Sequence, residues 1–381
     1  MAAGAPPEPV WRVREDAHGV VVEEVATGDC LRLDAEGRWT AWQRGGATLR
    51  RALDGRVHVR RPRRDDLLAD DDTARVHDAA ARTAARLAAL VAGGGRGLAT
   101  VGDAARAAAV LVRAARFDAA AALRHAAAAR AVWLEGIPIL PPHRYRDVVV
   151  MPALGCPNAR CDFCAFYRDR RFVVLDADAF ARHLDALVVL LGRALDATTG
   201  VFLGSGSAAS APDDVLLDRL ARTDAVLGRR PRGAAAFLDP DHTARRPAAR
   251  WERLRQAGLC DLTVGLETGL PALRASVHKG ADLARFEGEV AAAKAGGLRV
   301  AVTVLVGLGG AAAGPAHVRE TAASVARMPL DGADLVYLSR LEGSLPEAAL
   351  DSQEASMRDA LGAVTRARPT VYPAEGFVAR A

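Results

Sequence analysis

Cysteine is scarce in this chain, with five among 381 residues. That excludes the cysteine-dense disulfide frameworks that staple small secreted domains. The N-terminus, Met-Ala-Ala-Gly-Ala-Pro-Pro-Glu-Pro, carries neither a basic stretch nor an apolar one. It does not read as a secretory signal, and the cysteines are expected to be reduced, in a cytoplasmic protein. Long apolar runs are missing as well. No stretch reaches the roughly 18 residues that span a bilayer, so no membrane partner is expected. Lysine is nearly absent: Lys279 and Lys294 stand alone among 51 basic residues. With a net charge of +5, this arginine bias reflects composition and does not by itself argue for nucleic acid. The glycine run Gly93-Gly-Gly-Arg-Gly lacks a GK[ST] ending and a preceding strand, which weakens a phosphate-loop reading. What remains is an ordinary globular balance, 50% hydrophobic and 25% charged, long enough for one large domain with appendages or for two to three domains.

Three of the five cysteines fall together in Gly155-Cys156-Pro-Asn-Ala-Arg-Cys161-Asp-Phe-Cys164, spaced C-x4-C-x2-C. Such crowding asks for a ligand. Three thiolates can hold three irons of a [4Fe–4S] cube and leave the fourth iron open for a substrate. A structural zinc site closes with four ligands. The fourth here would be His143, Cys30 or Cys260, none at finger-like spacing. A plant-type [2Fe–2S] protein shares the spacing but adds a fourth cysteine, and the next one here, Cys260, is 96 residues on.

The chain changes character twice. Residues 1–65 read as a small antiparallel β unit, with alternating runs such as Val10-Trp-Arg-Val and Arg38-Trp-Thr-Ala-Trp separated by turn residues. The Trp39 and Trp42 pair reads as packing. Residues 66–140 are Ala-rich, predicting helices over about 72–92, 102–115 and 117–131. Residues 141–346 alternate short β-branched runs, beginning at 147, 200, 234, 261, 298 and 334, with amphipathic stretches over 178–195, 212–228, 245–257, 281–296 and 315–328. Apolar strands joined by right-handed helical crossovers imply a parallel α/β sheet. Residues 347–381 read as one helix, about 351–367, and an irregular tail. If the sheet closes even partly, a site lies at the C-terminal strand ends, and the cysteine motif follows the first strand directly.

Over about 140–345 the chain resembles the radical S-adenosylmethionine (radical SAM) superfamily. The resemblance rests on the cysteine loop with Phe163 before its last cysteine, on Val201-Phe-Leu-Gly-Ser-Gly-Ser and Val264-Gly-Leu-Glu267-Thr-Gly, and on Lys279-Gly and Val304-Leu-Val-Gly-Leu-Gly-Gly310. It departs from the commoner C-x3-C-x2-C by one residue in the first gap. The resemblance implies a partial (β/α)6 barrel, a [4Fe–4S] cluster and SAM. Reductive cleavage would give a 5′-deoxyadenosyl radical that takes hydrogen from a substrate, with an electron donor such as flavodoxin or ferredoxin as partner. Cys156, Cys161 and Cys164 would ligate iron, and the main chain near Phe163 would meet adenine. Gly204-Ser205-Gly206-Ser207 would approach the methionine amino group. Glu267 would hold ribose or methionine, and Val304 and Val306 would line the adenine side. His278 and Lys279 read as a solvated loop. Asp239 and Asp241, with His242, follow the third strand as candidate catalytic groups, with helix capping as the plain alternative. Arg340 is a candidate anion holder, and Tyr337 reads as core.

The substrate is expected to be a small molecule in a biosynthetic pathway. Alternatives are RNA, favoured if Arg60-Arg-Pro-Arg-Arg64 opens a basic groove, a peptide added to a strand edge in 10–60, or a non-catalytic SAM-binding sensor. With no cysteine after Cys260 and no visible cobalamin domain, auxiliary cofactors are not expected.

Overall fold

The computed structural model describes residues 11–61, 64–93, 98–204 and 206–372, and at Arg64 and Asp65 the backbone alone. The described chain divides into two compact units, 11–136 with 185–198, and 137–184 with 199–372.

In the first unit, seven strands from Trp11–Asp16 to Arg64–Leu67 run as an antiparallel meander in which each strand pairs with the next. An eighth strand, Leu98–Val101, pairs parallel to Trp11–Asp16. It comprises four residues between two helices, too short to show a period. Helices follow at Asp70–Ala92, Ala104–Ala114 and Ala119–Val132. Asp103 and Asp118 cap the last two by accepting backbone N–H bonds. The boundary expected at 65/66 does not separate the sheet from the helices. Val13, Val22, Trp39, Ala84, Leu87 and Leu111 share one core, because a one-faced sheet and a striped helix each bury apolar surface only against the other. Trp39 packs there as expected, donating from Nε1 to His77 Nδ1 at 2.9 Å. The glycine run from Gly94 onward, and Pro62 and Arg63 of the basic run, lie outside the described residues.

The second unit is built on seven parallel strands: β1 (Asp147–Val150), β2 (Gly200–Leu203), β3 (Ala234–Leu238), β4 (Leu259–Glu267), β5 (Arg299–Val306), β6 (Leu335–Arg340) and β7 (Arg368–Val371). They lie side by side in chain order, the sheet of a partial barrel. β1 and β2 are buried at every position, which is why they read as unbroken apolar runs. The helices Ala177–Leu191, Asp213–Leu227, Ala248–Gln256 and Leu283–Ala295 connect them near the expected bounds. The next helix, Gly310–Ala326, starts five residues before the expected 315. Gly309, in the left-handed region at φ +78°, opens it, and Pro315 sits inside it. The tail is a correction: after the helix Glu347–Val364 it forms β7. Pro369 fits an edge strand, which has one side free of ladder bonds.

Below the sheet, at the N-terminal strand ends, fully buried Arg144 pairs with Asp147 at 2.9 Å and also with Asp261. All seven C-terminal ends face the opposite edge, because every pairing is parallel.

Candidate active site

A cavity of about 590 Å³ opens at those C-terminal ends. All three clustered cysteines line it. Their loop begins at Gly155, whose φ of +70° and close approach to the Arg171 backbone leave no room for a side chain. Backbone bonds from Asp169 N to Ala159 O (2.9 Å) and from Cys164 N to Cys161 O (3.1 Å) fold the loop on itself. Within the first gap, Ala159 is left-handed at φ +52°. Asn158 Nδ2 donates to Cys161 Sγ at 2.9 Å and to the His278 carbonyl at 2.7 Å.

All five cysteines are free thiols. Burial pushes Cys156 up and Cys161 up to about 12. Such thiols stay protonated until a metal replaces the proton. The candidate fourth zinc ligands are engaged elsewhere. His143 Nδ1 lies 2.8 Å from Tyr337 Oη, Cys260 Sγ donates to Gly258 O at 3.4 Å, and Cys30 belongs to the meander of the other unit. Among the described residues, no group of three or more His, Cys, Asp or Glu is set to hold a single ion.

Across the cavity the sheet supplies charge. β4 breaks register with β5 between Gly265 and Glu267, and Glu267 itself sits at φ +63°. This irregularity re-aims one side chain, and the Glu267 carboxylate lines the cavity. Lys279 is not part of a solvated loop. Its side chain is only 8% exposed; Nζ donates to Gly265 O at 2.9 Å and lies 3.9 Å from Glu267 Oε1. Burial alone would lower the lysine, but Asp239 and Glu267 outweigh it and hold it above its ordinary range. Burial raises Glu267, and Lys279 offsets this only in part. Asp239 is also buried, yet Lys279 and a 2.9 Å bond from His242 Nδ1 hold its carboxyl below the usual range. His278 is exposed and pairs with Asp162 at 3.1 Å.

The other expected residues divide. Phe163, Gly206, Asp239 and Arg340 line the cavity. A Cβ on Gly206 would come within 2.9 Å of Gly155 O and of the Tyr167 ring, so the glycine permits a close approach. Gly204 is buried against Val149. Ser205 lies outside the described residues. Ser207 is buried, accepts from Asp239 N at 2.7 Å and meets Ser210 Oγ at 2.7 Å, which makes it a support for Asp239. Asp241 is bound to buried Arg274 at 2.5 Å and is not a lining residue. Arg340 Nε and Nη2 are held by Glu354 at 2.7 Å and Asp351 at 2.6 Å. On β5 the expectation is off by one: Thr303 and Leu305 line the cavity, whereas Val304 and Val306 are fully buried and are not lining residues. Alternation along a strand places neighbours on opposite faces. Tyr372, just past β7, also lines the cavity. Its hydroxyl is buried and has no hydrogen-bond partner among the described residues. Nothing in the sequence marked it, because the tail showed no strand pattern.

A parallel sheet with three thiols and a buried carboxylate–lysine pair at its C-terminal edge defines a cofactor-binding α/β partial barrel. Residues 150–314 match the model of the radical SAM superfamily, and the chain carries a domain of that superfamily of enzymes. The cofactors of the domain are a [4Fe–4S] cluster and SAM. Comparison with curated proteins finds no match. Among solved structures, the chain is similar to the radical SAM methyltransferase TsrM from Kitasatospora setae (15% identity, 51% of this chain and 35% of that one, TM-score 0.39). It is also similar to coproporphyrinogen III oxidase HemN from Escherichia coli (16%, 57% and 49%, 0.41) and to Streptococcus suis SuiB (9%, 96% and 71%, 0.43). The chain spans about a third of the first relative and half of the second. No described helix is long and apolar enough to cross a membrane.

Proposed function

We infer that the chain is a cytoplasmic radical SAM enzyme acting on a small molecule, supplied with electrons by a donor such as flavodoxin or ferredoxin. The observation that carries this reading is the placement of three free thiols on the wall of one cavity within the superfamily domain. Their chemistry suits the cluster: three soft ligands, with one iron left open for SAM. When bound, the cluster would supply the one electron needed for reductive cleavage of SAM to methionine and a 5′-deoxyadenosyl radical able to take a hydrogen atom from the substrate.

The chain's own residues have separable tasks in this reading. Cys156, Cys161 and Cys164 hold iron. Gly206 lets backbone come close to SAM. Glu267, held by Lys279 and with Thr303 Oγ1 at 3.5 Å from both its oxygens, takes the polar groups of SAM. Phe163 and Leu305 give apolar wall. Asp239, fixed by Ser207 and His242, faces the substrate side. Both cations on the described wall, Lys279 and Arg340, are already paired with carboxylates. A polyanion such as RNA would find no free positive partner there, which supports the small-molecule reading.

The test is composition. Anaerobically reconstituted protein should carry about four irons and four sulfides per chain. Joint replacement of Cys156, Cys161 and Cys164 by Ala should abolish the brown chromophore, and replacement of Cys30 or Cys260 should not. A full cluster in the triple variant would overturn the assignment.

A further inference from the structure

The four residues between Cys156 and Cys161 include the chain's only asparagine, Asn158. It is 5% exposed. Both protons of its amide are committed, one to Cys161 Sγ at 2.9 Å and one to the His278 carbonyl at 2.7 Å. Its Oδ1 has no hydrogen-bond partner among the described residues. Ala159, which follows it, is left-handed at φ +52°. A polar side chain buried beside a thiol, with its donor face used and its acceptor idle, is there for the donor.

We propose that the Asn158 amide donates a hydrogen bond to the Cys161 thiolate of the bound cluster and raises the cluster's reduction potential. This rests on the reading above that Cys161 ligates iron. Reduction adds one electron to the cluster, and part of that charge falls on its sulfurs. An N–H dipole aimed at a ligating sulfur stabilises the reduced state more than the oxidised one. The amide is neutral, so it tunes the potential without adding a counter-charge. The His278 carbonyl holds the second N–H and so fixes the orientation of the first. Asn158 is therefore a positioning and tuning residue and does not touch substrate.

A single asparagine permits a direct measurement. Full-length protein is grown with ¹⁵N only in the asparagine side-chain amide, reconstituted anaerobically and reduced with dithionite. Pulsed EPR of the reduced cluster should show one ¹⁵N coupling that unlabelled protein lacks. In a redox titration, Asn158→Leu should move the midpoint to more negative potential, by about tenfold in the reduction equilibrium, or about 59 mV for one electron. Arg168→Lys keeps the positive charge while disturbing the guanidinium bonds to the Cys161 and Asp162 carbonyls of the same loop, without a sulfur contact, and should leave the midpoint unchanged. A cluster signal without ¹⁵N coupling overturns the proposal, as does an Asn158→Leu midpoint equal to the parent's or an equal shift in Arg168→Lys. If Asn158→Leu fails to hold iron, the labelled parent decides alone. A parent with no cluster signal at all overturns the cluster assignment, and this proposal with it.

Discussion

Lys279 Nζ lies 3.9 Å from Glu267 Oε1 and donates to the carbonyl of Gly265, two residues before that glutamate. The ammonium thus braces the irregular end of β4 and keeps a buried carboxylate in the cavity. Lys279→Met would leave Glu267 without its main compensation. Removing one partner of a buried pair costs about 3–5 kcal/mol. The deficit, read from urea unfolding, should be largest at pH 8. It should shrink toward pH 5.5, because the unbraced Glu267, already raised by burial, then takes up a proton.

Gly265 is the seat of that pair. A Cβ there would lie 3.0 Å from Lys279 Nζ and would run into the Glu267 carboxylate. Gly265→Ala should keep its iron and lose at least about tenfold in SAM affinity by calorimetry, roughly 1.4 kcal/mol. Unchanged affinity would remove Glu267 from the SAM site.

Arg340 tests a different point. Its side chain is 26% exposed and bound to Glu354, Asp351 and Glu347 of the helix Glu347–Val364. Arg340→Ala should therefore act on stability, by about 1 kcal/mol and less at high salt, and leave iron content and SAM binding as in the parent. A selective loss of substrate turnover with unchanged stability would restore its role as an anion holder.

What the sequence showed and what it hid follow from physics. The six main strands were legible because each is a short β-branched run bounded by helical stretches. The cysteine loop was legible because thiol spacing is local chemistry. The parity of β5 was only faintly marked: Val300, Val302, Val304 and Val306 alternate with Arg299, Ala301, Thr303 and Leu305, but Val304 is fully buried and the lining Leu305 only 9% exposed, so an apolar run buried on both faces hides which side faces the cavity. Lys279 lies 12 residues beyond Glu267, and only the fold returns it to that carboxylate. Asp241 reads like Asp239 in sequence, and the fold alone gives one to Arg274 and the other to the cavity. β7 is four residues with a proline, below the length at which a period can be seen.

Two half-buried histidines predict acid sensitivity. His143 is pushed down to about 3 by burial and by Arg144, Arg232 and Arg299, and His125 to about 3 by burial, Arg51 and Arg38. An unfolded histidine titrates near 6.5. Below that pH the unfolded chain binds protons that the folded chain refuses. The stability is thus present above pH ~6.5 and is lost as pH falls toward 3, by up to about 1.4 kcal/mol per unit for each histidine. His143→Gln and His125→Gln should each flatten the fall in unfolding midpoint between pH 6.5 and 5. An unchanged slope would show that these imidazoles are already charged in the folded protein.

The most direct test of the central claim is the appearance of 5′-deoxyadenosine when the cluster-loaded protein is incubated with SAM and dithionite under strict anaerobiosis. Slow formation without any substrate is predicted, and none in the Cys156, Cys161 and Cys164 triple variant. A fully loaded cluster with SAM bound and no 5′-deoxyadenosine formed would contradict the enzyme reading and leave a SAM-binding iron–sulfur sensor.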